Sequence, residues 1–282
     1  MKRNLTIRPS SLILPSKSES SDLSIESSSS SSDVEDPVDI ITWTNFYANT
    51  WGQSVEALVS VISVPKINYV DVEHCQYEQS PEFCKVMATN LLHNKMLSEM
   101  LILQAYDEML KELEARHNYV RKAKRKCGTV SLHPVKGSPT VGKTSFLLYV
   151  LITRLMQKLP TIFQAANSDG SPGCAYLFCS KGVYPIGTQS FRSLTKEYRR
   201  VVTQEFCQNM SKAEKRNIWV LLDSTKPDNY LLKNFAPSFK VQASGDNLNK
   251  LFHNSHAHKK FYMKNWKPFE IAAAQSYFRD SH

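Results

Sequence analysis

Gly137-Ser138-Pro139-Thr140-Val141-Gly142-Lys143-Thr144 fits the pattern GxxxxGK[ST] at every position. Before it runs Thr129-Val130-Ser131-Leu132-His133-Pro134-Val135-Lys136, a strand candidate. After it runs Ser145-Phe146-Leu147-Leu148-Tyr149-Val150-Leu151-Ile152-Thr153-Arg154-Leu155, an apolar helix. Strand, glycine loop and helix in that order are the setting in which this pattern wraps phosphate. Ordinary glycine and lysine usage produces the octapeptide by accident in about one chain in a hundred of this size. Gly137 and Gly142 permit a tight turn and close backbone approach. The loop residues Gly137, Ser138, Pro139, Thr140, Val141 and Gly142, with Lys143, Thr144 and Ser145, turn backbone N–H groups and a helix N-terminus toward an anion. Lys143 brings a point charge to β and γ phosphate oxygens, and the Thr144 hydroxyl suits Mg²⁺. Pro134 inside the strand removes a ladder donor, so the strand is expected to be short or bulged there.

Such a loop calls for a second element, an apolar strand ending in an acid that supports the metal. Ile218-Trp219-Val220-Leu221-Leu222-Asp223 supplies it, about 75 residues further on. Lys143 and Asp223 are therefore the catalytic candidates, and Thr144 with Asp223 the metal candidates. Ser224 follows Asp223 where a Glu often orients the attacking water, so slow turnover is expected. Asp228 or Glu197 are the acids that would take over that role.

Other strands fit a mostly parallel sheet: Thr161–Gln164, Ala175–Cys179, Phe239–Ser244 and Phe261–Met263. The turn residues Asp169-Gly170-Ser171-Pro172-Gly173 suggest a hairpin insert before the second of these. Gln242 or Ser244 is the candidate polar sensor on the strand after Asp223. Pro268-Phe269-Glu270 opens a last helix through Phe278. Arg192, Arg199 and Arg200 read as a solvated helix face, with donation to a γ-phosphate as the sharper alternative. His253, His256 and His258 read as a surface loop rather than a metal site, for no acidic or thiol ligand lies close.

Upstream of residue 129 the chain changes character. Ser27–Ser32 is an unbroken serine run flanked by acids, and residues 1–37 are expected to be a disordered tail. Residues 38–128 form a small aromatic-rich and helical region. Ile40, Ile41, Trp43, Phe46, Tyr47 and Trp51 are expected to pack a small subdomain, and Val55–Val64 is open to either helix or strand. From Pro81 to Lys126 the apolar residues Phe83, Val86, Met87, Leu91, Met96, Met100, Leu103, Met109 and Leu113 recur at three- and four-residue steps, which predicts helix. That helix ends in the basic run Arg121–Lys126 before Gly128, a stop signal that reads as a solvated helix end, with a nuclear localisation signal or a patch for nucleic acid or another phosphate-bearing partner as the sharper alternatives.

Composition is consistent with an intracellular globular protein. Net charge is +9, 41% of residues are hydrophobic and mean hydropathy is −0.36. No apolar run reaches membrane-spanning length and no secretory leader is recognisable. The six cysteines make no CxxC pair and read as reduced thiols. The expected architecture is an α/β three-layer sandwich around a central mostly parallel sheet, the P-loop NTPase fold, over residues 129–282. The helical segment and the Ser-rich tail precede it.

Val135–Pro139 with Gly142–Tyr149, Pro160–Gln164, Trp219–Ser224, and Tyr262-Met263-Lys264-Asn265-Trp266 with Pro268 and Glu270 resemble the NTPase module of Crinkler-type effectors and the related retrotransposon-hot-spot proteins. The similarity covers about residues 129–278, and the Asp-Ser ending and Met-x-x-Trp segment are its more specific parts. The loop residues themselves call for a nucleoside triphosphate, ATP foremost, with Mg²⁺, and the resemblance implies action inside host cells, frequently in the nucleus. Members couple the module to a C-terminal restriction-like nuclease. Here the sequence ends at His282, so a truncated module without DNA cleavage is expected. The alternatives are a degenerate interaction protein that binds a host protein or nucleic acid through its basic patch, and a small-molecule kinase.

Overall fold

The computed structural model describes residues 37–64, 66, 68–71, 76–79, 81–89, 99–122, 131–138, 141–167, 172–186, 210–223, 238–243 and 260–279. The chain divides into two units, and all of these residues belong to the second, Glu35–His282. The serine-rich tail, the histidine cluster and Arg192, Arg199 and Arg200 lie outside the described residues, as do Glu197, Asp228 and most of the basic run.

In chain order the elements begin with α1 (Pro37–Thr50), α2 (Val55–Leu58), β1 (Val59–Ser63), β2 (Asn68–Asp71), β3 (Gln76–Gln79), β4 (Phe83–Ala88), β5 (Glu99–Ile102) and α3 (Gln104–Lys122). There follow β6 (Ser131–Lys136), α4 (Lys143–Met156), β7 (Thr161–Ala166), β8 (Pro172–Cys179), β9 (Gly182–Ile186), α5 (Lys212–Asn217), β10 (Trp219–Asp223), β11 (Phe239–Ala243), β12 (Phe261–Tyr262) and α6 (Pro268–Arg279).

The fold is α/β, built on a seven-stranded sheet of order β12-β6-β11-β10-β7-β8-β9. The first five strands in that order run parallel, while β8 and β9 are added antiparallel at the β7 edge. β7 and β8 pair as the strands of the expected hairpin, and residues 168–171 between them lie outside the described residues. β9 is an additional strand, turning back at Gly182.

β11 is inserted between β6 and β10. The strand that carries the glycine loop and the strand that ends in Asp223 are therefore next-but-one neighbours, in continuous register through β11. β6 is regular despite Pro134, which pairs in register opposite Gln242, so the expected shortening or bulge is absent. Peptide groups alternate sides along a strand. The Lys136 carbonyl accepts from Met263 N on the β12 side. Pro134 shares that parity, and its missing donor faces β12, whose pairing begins only at Val135.

α4 is apolar almost all round and buried from Phe146 to Ile152, as a helix must be when packed between a sheet and further helices. It lies on β7, β10 and β11, with α1 and α3 against it. The opposite face of the sheet buries Leu132, Ile162, Leu177, Val220 and Leu222 equally deeply. α4 ends with Lys158 in the left-handed region, φ 56°. Leu159 N bonds back to Arg154 O and Lys158 N to Leu155 O, which closes the helix and turns the chain into β7.

The region before residue 129 departs from the sequence expectation in two ways. Phe83–Ala88 and Glu99–Ile102 are strands of a β1-β4-β5 antiparallel sheet, and helix begins only at Gln104. Over six residues, burial at Cys84, Val86 and Met87 satisfies a strand as well as a helical step. Pairing with β1 and β5 decides between them. The aromatics of α1 also do not close a subdomain of their own. Trp43 packs against Phe163, Tyr176 and Phe178, and Tyr47 Oη donates to Cys179 O at 2.8 Å, so α1 covers the main sheet. Val55–Val64 begins as a helical turn, α2, and continues as β1.

Candidate functional site

The glycine loop leaves the carboxyl end of β6 and runs into α4; Asp223 ends β10 at the same edge. In parallel α/β sheets this edge is where ligands gather. Of the residues singled out from the sequence, Gly137, Ser138, Val141, Gly142, Lys143, Thr144, Ser145 and Asp223 are described, while Pro139 and Thr140 lie outside the described residues.

Both glycines are required by local geometry. Gly142 caps α4 with φ 82° and ψ 35°, in the left-handed region. Gly137 has φ 155°, and a Cβ there would lie 2.8 Å from Val141 Cγ2 and 3.2 Å from Met263 O. The first helical bond runs from Phe146 N to Gly142 O at 2.8 Å. The N–H groups of Lys143, Thr144 and Ser145 precede that bond, at the positive end of the helix.

The side chains converge on the same spot. Lys143 Nζ donates to Gly137 O at 2.8 Å and Ser138 O at 2.7 Å, which holds the ammonium across the loop. Thr144 Oγ1 donates to Asp223 Oδ1 at 2.9 Å. Burial raises the Asp223 carboxyl above its ordinary value of 3.8, opposed by the Thr144 hydrogen bond and the Lys143 charge. The hydroxyl and carboxylate oxygens are thus adjacent, with the Lys143 ammonium beside them.

Two further residues touch the loop and a third caps helices beside it, and none of them carries a glycine-loop signature. Tyr106 Oη donates to Gly142 O at 3.1 Å, and its ring packs on Phe146 and Tyr149. Its one sequence signal is its place with Met109, Leu110 and Leu113 on the buried stripe of α3. Asn265 Oδ1 accepts from Ser138 Oγ at 3.4 Å. The Met-x-x-Trp segment therefore flanks the loop. Glu270 accepts from Lys267 N at 2.7 Å and Gln104 N at 3.0 Å, one carboxylate capping both α6 and α3. Burial holds its pKa above the usual carboxylate range against those two donors.

Gln242, a candidate sensor, is buried in register with Leu222, whereas Asp223 is in register with Ala243. In-register neighbours share a sheet face, so Gln242 lies on the face away from Asp223 and α4. Ser244 is outside the described residues. Among the described residues no three His, Cys, Asp or Glu side chains cluster as a metal site, and no helix is long and apolar enough to cross a membrane.

A comparison of the chain with protein-family models and with curated proteins finds no match.

Proposed function

We propose that the chain binds a nucleoside triphosphate, ATP foremost, with Mg²⁺ at the loop Gly137–Thr144, and hydrolyses it slowly as a nucleotide-dependent switch. The observation that carries this reading is the 2.9 Å hydrogen bond from Thr144 to Asp223. It joins the hydroxyl that follows the loop lysine to the carboxylate that ends a buried parallel strand, across an inserted strand. Two residues far apart in sequence have no packing reason to meet there as a polar pair.

The donor set fits Mg²⁺. That ion takes one or two protein oxygens, keeps several waters and accepts phosphate oxygens for the rest. Thr144 and Asp223 would hold it, and it would draw charge from the β and γ phosphates. Lys143 pivots from the loop carbonyls to those same oxygens. The N-terminal end of α4, with the loop backbone, orients the phosphate chain. Ser224 in place of a water-orienting carboxylate makes turnover slow, since a hydroxyl is a poor base at neutral pH. The resemblance to Crinkler-type modules supports the switch reading, because slow hydrolysis sets the lifetime of a bound state.

Equilibrium binding of ATP with and without Mg²⁺, followed by a phosphate-release assay, tests the proposal. Mg²⁺-dependent binding with release far slower than an ordinary ATPase is expected. Absence of nucleotide binding would end the reading, and rapid release would end the switch.

A further inference from the structure

The other end of the sheet, where the parallel strands begin, holds a second polar cavity. It has a volume of about 250 Å³ and lies between the last turns of α3, the end of α4 and the start of β10. Arg154 is its innermost charge, 4% exposed. Nε donates to Thr161 Oγ1 at 3.0 Å, and Nη2 donates to Pro160 O at 3.1 Å and Asn217 O at 2.6 Å. The two N–H groups on Nη1 have no acceptor among the described residues, and no carboxylate among them lies within ion-pair distance.

A buried guanidinium with no carboxylate in contact is costly, even with Glu114 across the cavity. Burial pulls the Arg154 pKa from 12.5 down to about 9. The Trp219 ring lies against the guanidinium, 4.3 Å from its carbon, and the indole Nε1–H of that ring is itself buried without a partner among the described residues. Arg121 adds a second cation on the wall, hydrogen-bonded to Asn217 Oδ1 at 3.0 Å, and Asn118 adds an amide. His117 is kept neutral at physiological pH, its pKa pulled to about 4, and Glu114 contributes the opposing charge. Two guanidiniums against one carboxylate leave the cavity one positive charge in excess.

We propose that this cavity is an oxyanion site for phosphate, free or as the phosphate of a small monoester, separate from the glycine loop. Arg121 and Asn118 on α3 and Arg154 on α4 line it from two helices, and guanidinium forks match the oxygens of phosphate in bidentate pairs. It lies beneath the first residues of β7 and β10, and the far end of β10 carries Asp223, which accepts from Thr144.

The test uses the full chain carrying Lys143→Ala, so that phosphate cannot be held by the loop lysine. The Trp219 indole N–H resonance is followed while inorganic phosphate, phosphoserine or acetate is added. A saturable shift with phosphate or phosphoserine and a much weaker one with acetate are expected; which of the two phosphates binds tighter distinguishes the free ion from a monoester. Arg121→Ser, at the exposed rim, should weaken that binding about tenfold without unfolding the chain. Arg154→Lys, which keeps charge but loses the fork, should weaken it further. No saturable shift, equal response to acetate, or an unchanged affinity in Arg121→Ser would each overturn the assignment. A response present in the parent but lost in the Lys143→Ala chain would move the phosphate to the glycine loop and overturn it likewise.

Discussion

Gly142→Ala tests the loop geometry independently of any ligand. Gly142 sits at φ 82°, and an alanine Cβ there would lie 2.5 Å from Tyr106 Oη. An L-residue in the left-handed region costs about 1–2 kcal/mol. The Tyr106 hydroxyl cannot stay where it is, so its bond to Gly142 O is lost, at about 1 kcal/mol. Tyr106 is 1% exposed and wedged against Phe146 and Tyr149, so relieving the overlap costs about 1–3 kcal/mol as overpacking. The expected destabilisation is about 4 kcal/mol in all. Tyr106→Phe alone should cost about 1 kcal/mol, the lost hydrogen bond. In the double variant the overlap disappears, because the next atoms from that Cβ are Tyr106 Cζ at 3.7 Å and Ser145 Cβ at 3.9 Å. The double variant should therefore lose only about 2–3 kcal/mol, less than the two single losses together. Urea midpoints of the four proteins at constant m-value provide the measurement. Strict additivity, or a Gly142→Ala protein as stable as its parent, would refute the placement of Tyr106 against the loop.

Three other outcomes follow from the same contacts. Asp223 has a raised folded pKa, so it contributes most below its unfolded value of 3.8 and loses that contribution as pH rises through the folded value. Asp223→Asn should thus be more stable than the parent at neutral pH, lose that advantage in acid, and bind Mg²⁺-nucleotide more weakly; identical pH profiles would contradict this. His117 is shifted the other way, from 6.5 to about 4, by burial first and then by Arg154 and Arg121. Its contribution is full above 6.5 and lost as pH falls through 4, and His117→Gln should flatten the acid limb of a stability profile across that window. Glu270→Ala strips the acceptor from two helix starts and should cost about 2 kcal/mol by urea unfolding, about 1 per cap.

How far the sequence carries this fold depends on where the information is local. The parallel sheet is legible because buried strands such as Trp219–Asp223 are continuous apolar runs that a loop or helix edge interrupts cleanly. The glycine loop is legible because its constraint is backbone shape, which two glycines state directly. Phe83–Ala88 is not: its buried residues at positions 84, 86 and 87 fit either period, and only pairing with β1 and β5 resolves them. Pro134 is misleading for a related reason, since its cost depends on which side β12 pairs and how late it begins. Tyr106, Asn265 and Glu270 escape because their role is tertiary. Each meets the loop or a helix end from more than thirty residues away or caps a partner helix, and nothing in a side chain's own neighbourhood announces that. Arg154 escapes as well: it is the one cation of α4 beyond Lys143 at its first position, and its partners, the Thr161 hydroxyl and the Pro160 and Asn217 carbonyls, lie at the start of two other strands.

The loop from Gly137 to Thr144 is proposed to hold a triphosphate. The most direct measurement of this is a titration of ATP into the parent chain and into Lys143→Ala at the same Mg²⁺ concentration. Lys143 is the one motif-fixed charge that can leave the Gly137 and Ser138 carbonyls for the phosphates. Its loss should weaken ATP binding at least about tenfold, the equivalent of about 1.4 kcal/mol, with the folded state retained. Equal affinities in the two proteins, or no affinity in the parent, would contradict the assignment of this loop as a nucleotide site.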